Sequence, residues 1–135
     1  MTIRFVDEAQ REFLDAIADY EDARGGLGQR FKDEVDRCVL WIADHPELYR
    51  LRPGSYRRIN VRVFPYYIPY IVRGQILWVL AVAHGSRKPL YWISRRNMSK
   101  TSFEYPVSSN ELRKPFEDHS NKYGLPGQRT PPIFE

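Results

Sequence analysis

Apolar residues at helical spacing fill the first third of the chain, and after one proline the period drops to two; that switch confines the fold to helices laid on a sheet. Ala9, Phe13, Ala16, Ile17 and Tyr20 recur at helical spacing, with Glu8, Glu12, Asp15, Asp19 and Asp22 on the other sides. Asp7 offers an N-cap, with Gln10 three residues on in a capping-box arrangement. Gly25-Gly26-Leu27-Gly28 stops this helix near Arg24. A second helix carries Phe31, Val35, Cys38, Val39 and Ile42 on one face and ends at His45-Pro46, because the residue before proline is pushed out of the α region. Two amphipathic helices joined by a glycine turn read as an antiparallel hairpin. Ahead of them, Ile3 to Val6 is either a first strand or an extended lead-in.

Beyond Pro53-Gly54 the spacing predicts a strand over Arg57 to Phe64, with Ile59, Val61 and Val63 on one face and Arg58, Asn60, Arg62 and Phe64 on the other. Pro65 breaks it, and Tyr66 to Val72 is a second strand, with Pro69 at an edge or a bulge because it has no N–H to donate. Arg73-Gly74-Gln75 turns the chain into a third strand, Gln75 to His84, apolar on both faces as a central strand is. The fold class is α+β: an N-terminal helical hairpin packed on one face of a small, mainly antiparallel, twisted sheet. Residues 1–96 form this domain. Residues 97–135 contain Pro106, Pro115, Pro126, Pro131 and Pro132 without a sustained period, and read as a Pro-rich, mobile tail that adds no layer to the core.

Charge is segregated along the chain. The first 47 residues carry twelve Asp and Glu against six Arg and Lys. Between Glu47 and Glu104 there is no carboxylate, yet that stretch holds eleven cations, from Arg50 to Lys100. A positive field of this kind attracts polyanions or acidic protein surfaces. Tyr56, Phe64, Tyr66, Tyr67, Tyr91 and Trp92 are interleaved with the cations, which a merely solvated basic face does not need. One cysteine, Cys38, excludes an internal disulfide and suits a reducing cytoplasm. With only His45, His84 and His119 beside it, no zinc site is predicted, and no other metal or cofactor. The longest apolar run, Ile76 to Ala83, is far shorter than the roughly 20 residues a membrane span needs, so no membrane partner is predicted.

Arg58 and Arg62, four apart on one face of a strand, are spaced to bracket successive phosphates, or are two solvated arginines. His84 ends the last strand and is either a general acid or base, since imidazole titrates near neutrality, or a structural hydrogen-bonding group. Arg87 is a fixed cation able to hold a phosphate or stabilise a pentavalent transition state. Tyr91 is a proton-transfer or stacking group, and Trp92 a packing residue over the sheet edge. The candidate catalytic set is therefore Arg62, Arg87, Tyr91 and His84, and the candidate set for binding a nucleic acid or protein target is Arg57, Arg58, Arg62, Lys88 and Arg95.

The order of helix, Gly-rich turn, helix, His-Pro, Arg-rich strand, then Phe64-Pro65-Tyr66 and the closing Val82-Ala83-His84-Gly85-Ser86-Arg87-Lys88-Pro89-Leu90-Tyr91-Trp92, resembles the RelE/ParE superfamily of toxins. Leu27-Gly28-Gln29-Arg30-Phe31 and Tyr56-Arg57-Arg58 fit the same pattern, and the likeness covers residues 5–95 or so. The resemblance implies a bacterial toxin of a type II toxin–antitoxin pair, bound as a hetero-oligomer by a cognate antitoxin. It implies one of two targets: messenger RNA on the ribosome, cut without a metal, or DNA gyrase. Arg58 or Arg62 then match the sheet cations and Arg87 the arginine after the last strand. Tyr91 stands closer to Arg87 than the nuclease branch leads one to expect. A basic module that keeps the fold without toxicity is the alternative reading.

Overall fold

The structure, a computed structural model, describes residues 1–97 and 102–105. β1 (Thr2–Val6) runs directly into α1 (Asp7–Ala23), and a short turn leads to α2 (Leu27–Asp44). Because strand passes to helix with no loop between, the N-cap falls on Val6, without a side-chain cap bond, and the capping box expected at Asp7 does not form. Asp7 instead lies in the first helical turn and pairs with Arg11 at 2.6 Å, while its charge and that of Glu8 complement the helix dipole. Between the helices, Glu21 accepts the N–H groups of Gly26 and Gly28 at 3.0 Å each, so a carboxylate of α1 satisfies donors at the start of α2. Gly28 is required by contact: a Cβ there would lie 2.6 Å from the Ile17 carbonyl oxygen.

After the helices come β2 (Arg57–Asn60), β3 (Tyr66–Arg73), β4 (Ile76–Val79), β5 (Ala83–His84), a 3-10 turn (Ile93–Asn97) and β6 (Ser102–Glu104). The sheet order is β2-β3-β4-β1-β6, with β5 continuing beside β3. β1 lies parallel to β4, and the other pairings are antiparallel. The arrangement is α+β, as the sequence predicts, but the addition of β1 and β6 and the division of the expected third strand into β4 and β5 turn the three-stranded meander into a six-stranded mixed sheet. Arg73 pairs with Ile76 across a two-residue turn in which Gly74 takes a φ of 62°, the habit of glycine in hairpin turns.

The long third strand predicted over Gln75 to His84 is interrupted. Tyr70 pairs with Val79 and Tyr67 with Ala83, so Ile68 and Pro69 face three residues, Leu80 to Val82. This is the bulge anticipated for Pro69: its carbonyl accepts from Leu80 N–H at 2.9 Å, and the donor that proline lacks falls where the ladder is already broken. The first predicted strand is also shorter than expected. It ends at Asn60, and Val63 adopts a φ of 75° and lies 66% exposed. That reversal, set by the turn into Pro65, sends Phe64 to the helix side instead of the face of Arg58. There it packs on Tyr20 and Phe31, ring centroids 4.9 and 5.1 Å away.

One core lies between the hairpin and the sheet, built on Ile3, Phe5, Phe13, Phe31, Val35, Ile42, Ile59, Ile68, Tyr70 and Leu77. On the opposite face the segment after β5 folds back, and Trp92, 1% exposed, packs edge-on against Tyr56 and donates its indole N–H to the Tyr67 hydroxyl at 3.0 Å. Burying a side chain of this size contributes about 3 kcal/mol or more. Within the segment after Arg96, Ser102–Glu104 join the sheet beside β1, and Tyr105 N–H bonds the Ile3 carbonyl at 2.8 Å. The rest of that segment lies outside the described residues.

Candidate functional site

The described cations of the carboxylate-free stretch do not form one open face. Arg57 lies on the helix side of β2 and donates Nε to the Tyr49 carbonyl at 2.7 Å, pinning the loop after α2. Arg58, on the other face, sits 4.0 Å over the Tyr67 ring and donates to Asn60 Oδ1 at 3.1 Å. Arg96 bonds the carbonyls of Ile93 and Gly54. Arg50, Arg73, Arg87 and Lys88 are exposed. Most of the interleaved aromatics are core residues: Tyr56, Phe64 and Tyr67 are each 7% exposed.

Arg62 does not share a face with Arg58, because β2 has ended two residues before it. Its charge instead acts on Glu34, a carboxyl of α2 that is 1% exposed and lies 3.6 Å from Arg37, itself 2% exposed. Burial pushes the Glu34 carboxyl above the usual carboxylate range, against the pull of Arg37, Arg62 and Arg30. The sequence reading missed this pair. Its only trace is a carboxylate and an arginine three apart beside Val35 and Cys38, the signal of an ordinary surface pair.

Arg87, Tyr91 and Arg95 are brought together, and by a residue the sequence reading did not single out. β1 leaves the sheet after Val6, which opens the edge of the β4–β5 bulge, and Glu12 of α1 reaches into that gap. It accepts Val82 N–H at 3.1 Å, the Tyr91 hydroxyl at 2.8 Å, and two N–H groups of Arg95 at 3.2 Å each. Arg95 also donates to the Leu80 carbonyl at 3.0 Å. A carboxylate and a guanidinium thus satisfy the backbone groups that a longer β1 would have met. The guanidiniums of Arg87 and Arg95 lie 4.0 and 5.3 Å from the Tyr91 ring centre. Burial, then the hydrogen bond and charge of Glu12, push the Tyr91 hydroxyl well above the ordinary tyrosine value.

His84 stands apart from this stack. Its Nδ1 accepts the Ser86 N–H at 3.0 Å, so the ring closes the Gly85-Ser86 turn, and its edge meets Tyr66 at 5.0 Å. Beside it lies a hollow of about 450 Å³ lined by Arg58, Asn60, Pro65, Tyr66, Tyr67 and Gly85. The four residues expected to form a catalytic set are therefore at three places: Arg62 near Glu34, His84 in its turn, and Arg87 with Tyr91 on the Glu12 contact. What the arrangement does chemically is to fix the loop Arg87-Lys88 against α1 and present its two cations to solvent. Among the described residues, no three His, Cys, Asp or Glu side chains are grouped as a metal would need, and no helix is long and apolar enough to cross a membrane.

No curated protein matches the chain. A family model described as the ParE toxin of type II toxin–antitoxin systems matches residues 3–89, from β1 through the Arg87-Lys88 loop. The chain belongs to this toxin family, within the RelE/ParE superfamily.

Proposed function

We propose that this toxin arrests growth by binding DNA gyrase rather than by cutting messenger RNA, and that a cognate antitoxin neutralises it. The observation that carries this reading is the use of Tyr91: its hydroxyl is spent on Glu12, its pKa is raised, and its ring is covered by Arg87 and Arg95. Metal-free RNA cleavage needs a base for the 2′-hydroxyl, a cation for the phosphorane and an acid for the leaving oxygen within reach of one phosphate. Here those groups are separated or engaged with one another. A rigid loop with two exposed cations suits recognition of an acidic protein surface, where charge sets on-rate and orientation.

The competing reading, ribosome-dependent mRNA cleavage, has one observation in its favour. The hollow beside His84 is large enough for a nucleotide and carries Arg58, Tyr66 and Tyr67. Induced expression separates the two. Under the gyrase reading growth stops while total messenger RNA keeps its full-length distribution, and co-expression of the antitoxin encoded beside the toxin gene restores growth. Fragmented messages with 2′,3′-cyclic phosphate ends within minutes of induction would reverse the assignment.

A further inference from the structure

The stretch that the family model matches ends at residue 89, ahead of β6. Without β6 the sheet would end at β1, and an open strand edge is a template for an extended segment. In this chain Ser102–Glu104 fill the edge in antiparallel register, with Ser102 opposite Val6, Phe103 opposite Phe5 and Glu104 opposite Arg4.

The side chains of this short strand show what the edge accepts. Tyr105 lies parallel to Phe5, ring centroids 5.0 Å apart with planes 9° from one another. Phe103 and Tyr105 wall a groove of about 240 Å³ whose other side includes Phe13 and Leu14 of α1. The groove is only partly filled, since Phe103 remains 40% and Leu14 54% exposed. Arg4 donates Nε to Ser102 Oγ at 2.8 Å and stands 3.6 Å from the Glu104 carboxylate. A pairing three residues long is a small attachment, and exposed carboxylate–arginine contacts add little to it.

We propose that the outer edge of β1, with the groove beside α1, is a binding site for an extended segment of a partner protein bearing a hydroxyl, an aromatic, a carboxylate and an aromatic in succession, and that Ser102–Tyr105 is a built-in occupant which that segment displaces. The two strands compete for the same backbone groups and the same contact with Phe5. The chain's own strand thereby sets the affinity a partner must exceed. This holds whichever target the toxin acts on.

The probe is a fluorescent peptide, Lys-Thr-Ser-Phe-Glu-Tyr-Pro-Val, copied from residues 100–107. Full-length protein carrying Phe103→Ala and Tyr105→Ala should bind it saturably and at least tenfold more tightly than the wild type. Replacing the peptide's glutamate by lysine should weaken binding about threefold, because Arg4 then meets a cation at an exposed site. Equal binding by both proteins, or none by a folded double variant, overturns the proposal. So does a wild-type dimer that exchanges the strand between copies, since the occupant would then be a second copy. If the double variant does not fold, amide exchange in the wild type decides. Tyr105 N–H should exchange at least a hundredfold faster than the N–H groups of β4, and any smaller difference marks β6 as a permanent strand.

Discussion

Glu12 shows how one side chain can decide the role of several others. By accepting from Val82, Tyr91 and Arg95 it fastens α1 to the bulge and to the segment after β5, and it engages the Tyr91 hydroxyl. The Tyr91 hydroxyl gives this contact a pH signature. Its pKa in the folded protein is raised above the ordinary tyrosine value, so the native state holds the proton more tightly than the unfolded chain does. The stability it contributes is complete below about pH 10, the ordinary tyrosine value, and is lost as pH climbs toward the folded value. Urea unfolding of wild type and Tyr91→Phe between pH 8 and pH 11 should show the wild-type advantage shrinking by about 1 kcal/mol at the alkaline end. An advantage that is constant over this range would mean that the hydroxyl is not held by Glu12. Nothing in sequence spacing announces this contact. Glu12 lies 79 positions from Tyr91, on a helix where Asp15, Asp19 and Asp22 are exposed.

At the scale of elements, both helices, their glycine turn and the stop at His45-Pro46 were legible, because helical periodicity and backbone breakers are local signals. Strand limits were less legible. The alternation from Ile59 to Val63 continues in the letters after the backbone has turned at Asn60, and Val63 is carried outward by a positive φ that no pattern encodes. β6 was invisible for another reason: three residues after a 3-10 turn are too few to show a period, and their partner is at the other end of the chain. The cation face was misjudged because composition counts charges without their partners; Arg57, Arg62 and Arg95 go to the Tyr49 carbonyl, the surroundings of Glu34, and Glu12. The helical hairpin itself makes a sharp prediction. A methyl group at Gly28 meets the Ile17 carbonyl at 2.6 Å and the Glu21 Cβ at 2.9 Å, and backbone cannot swing aside as a side-chain tip does. Gly28→Ala should therefore cost about 2 kcal/mol by denaturant unfolding, despite the better helix propensity of alanine. A neutral or stabilising result would show that the helices part at no cost.

For the molecule as a whole, family membership gives the toxin–antitoxin setting, and the geometry bears on which target is struck. The +11 formal charge of residues 48–103 is not gathered on one face, because Arg95 is paired with Glu12 and Arg57 is turned to the Tyr49 carbonyl on the helix side. What remains exposed near the family's closing motif is Arg87 and Lys88, fixed by Tyr91 and Glu12 on a loop beside the sheet. That arrangement suits docking on a protein more than cleaving a phosphodiester, and purified gyrase tests it most directly. Titrating the full-length protein into a supercoiling reaction with ATP should block supercoiling and accumulate DNA cleaved within gyrase complexes. The double variant Arg87→Glu and Lys88→Glu, which gives up the Arg87 contact with the Tyr91 ring and should cost about 1 kcal/mol in stability, should need at least tenfold more protein for the same effect. Undiminished supercoiling at a large molar excess of folded toxin, with message cleavage when the same preparation meets translating ribosomes, would contradict the account.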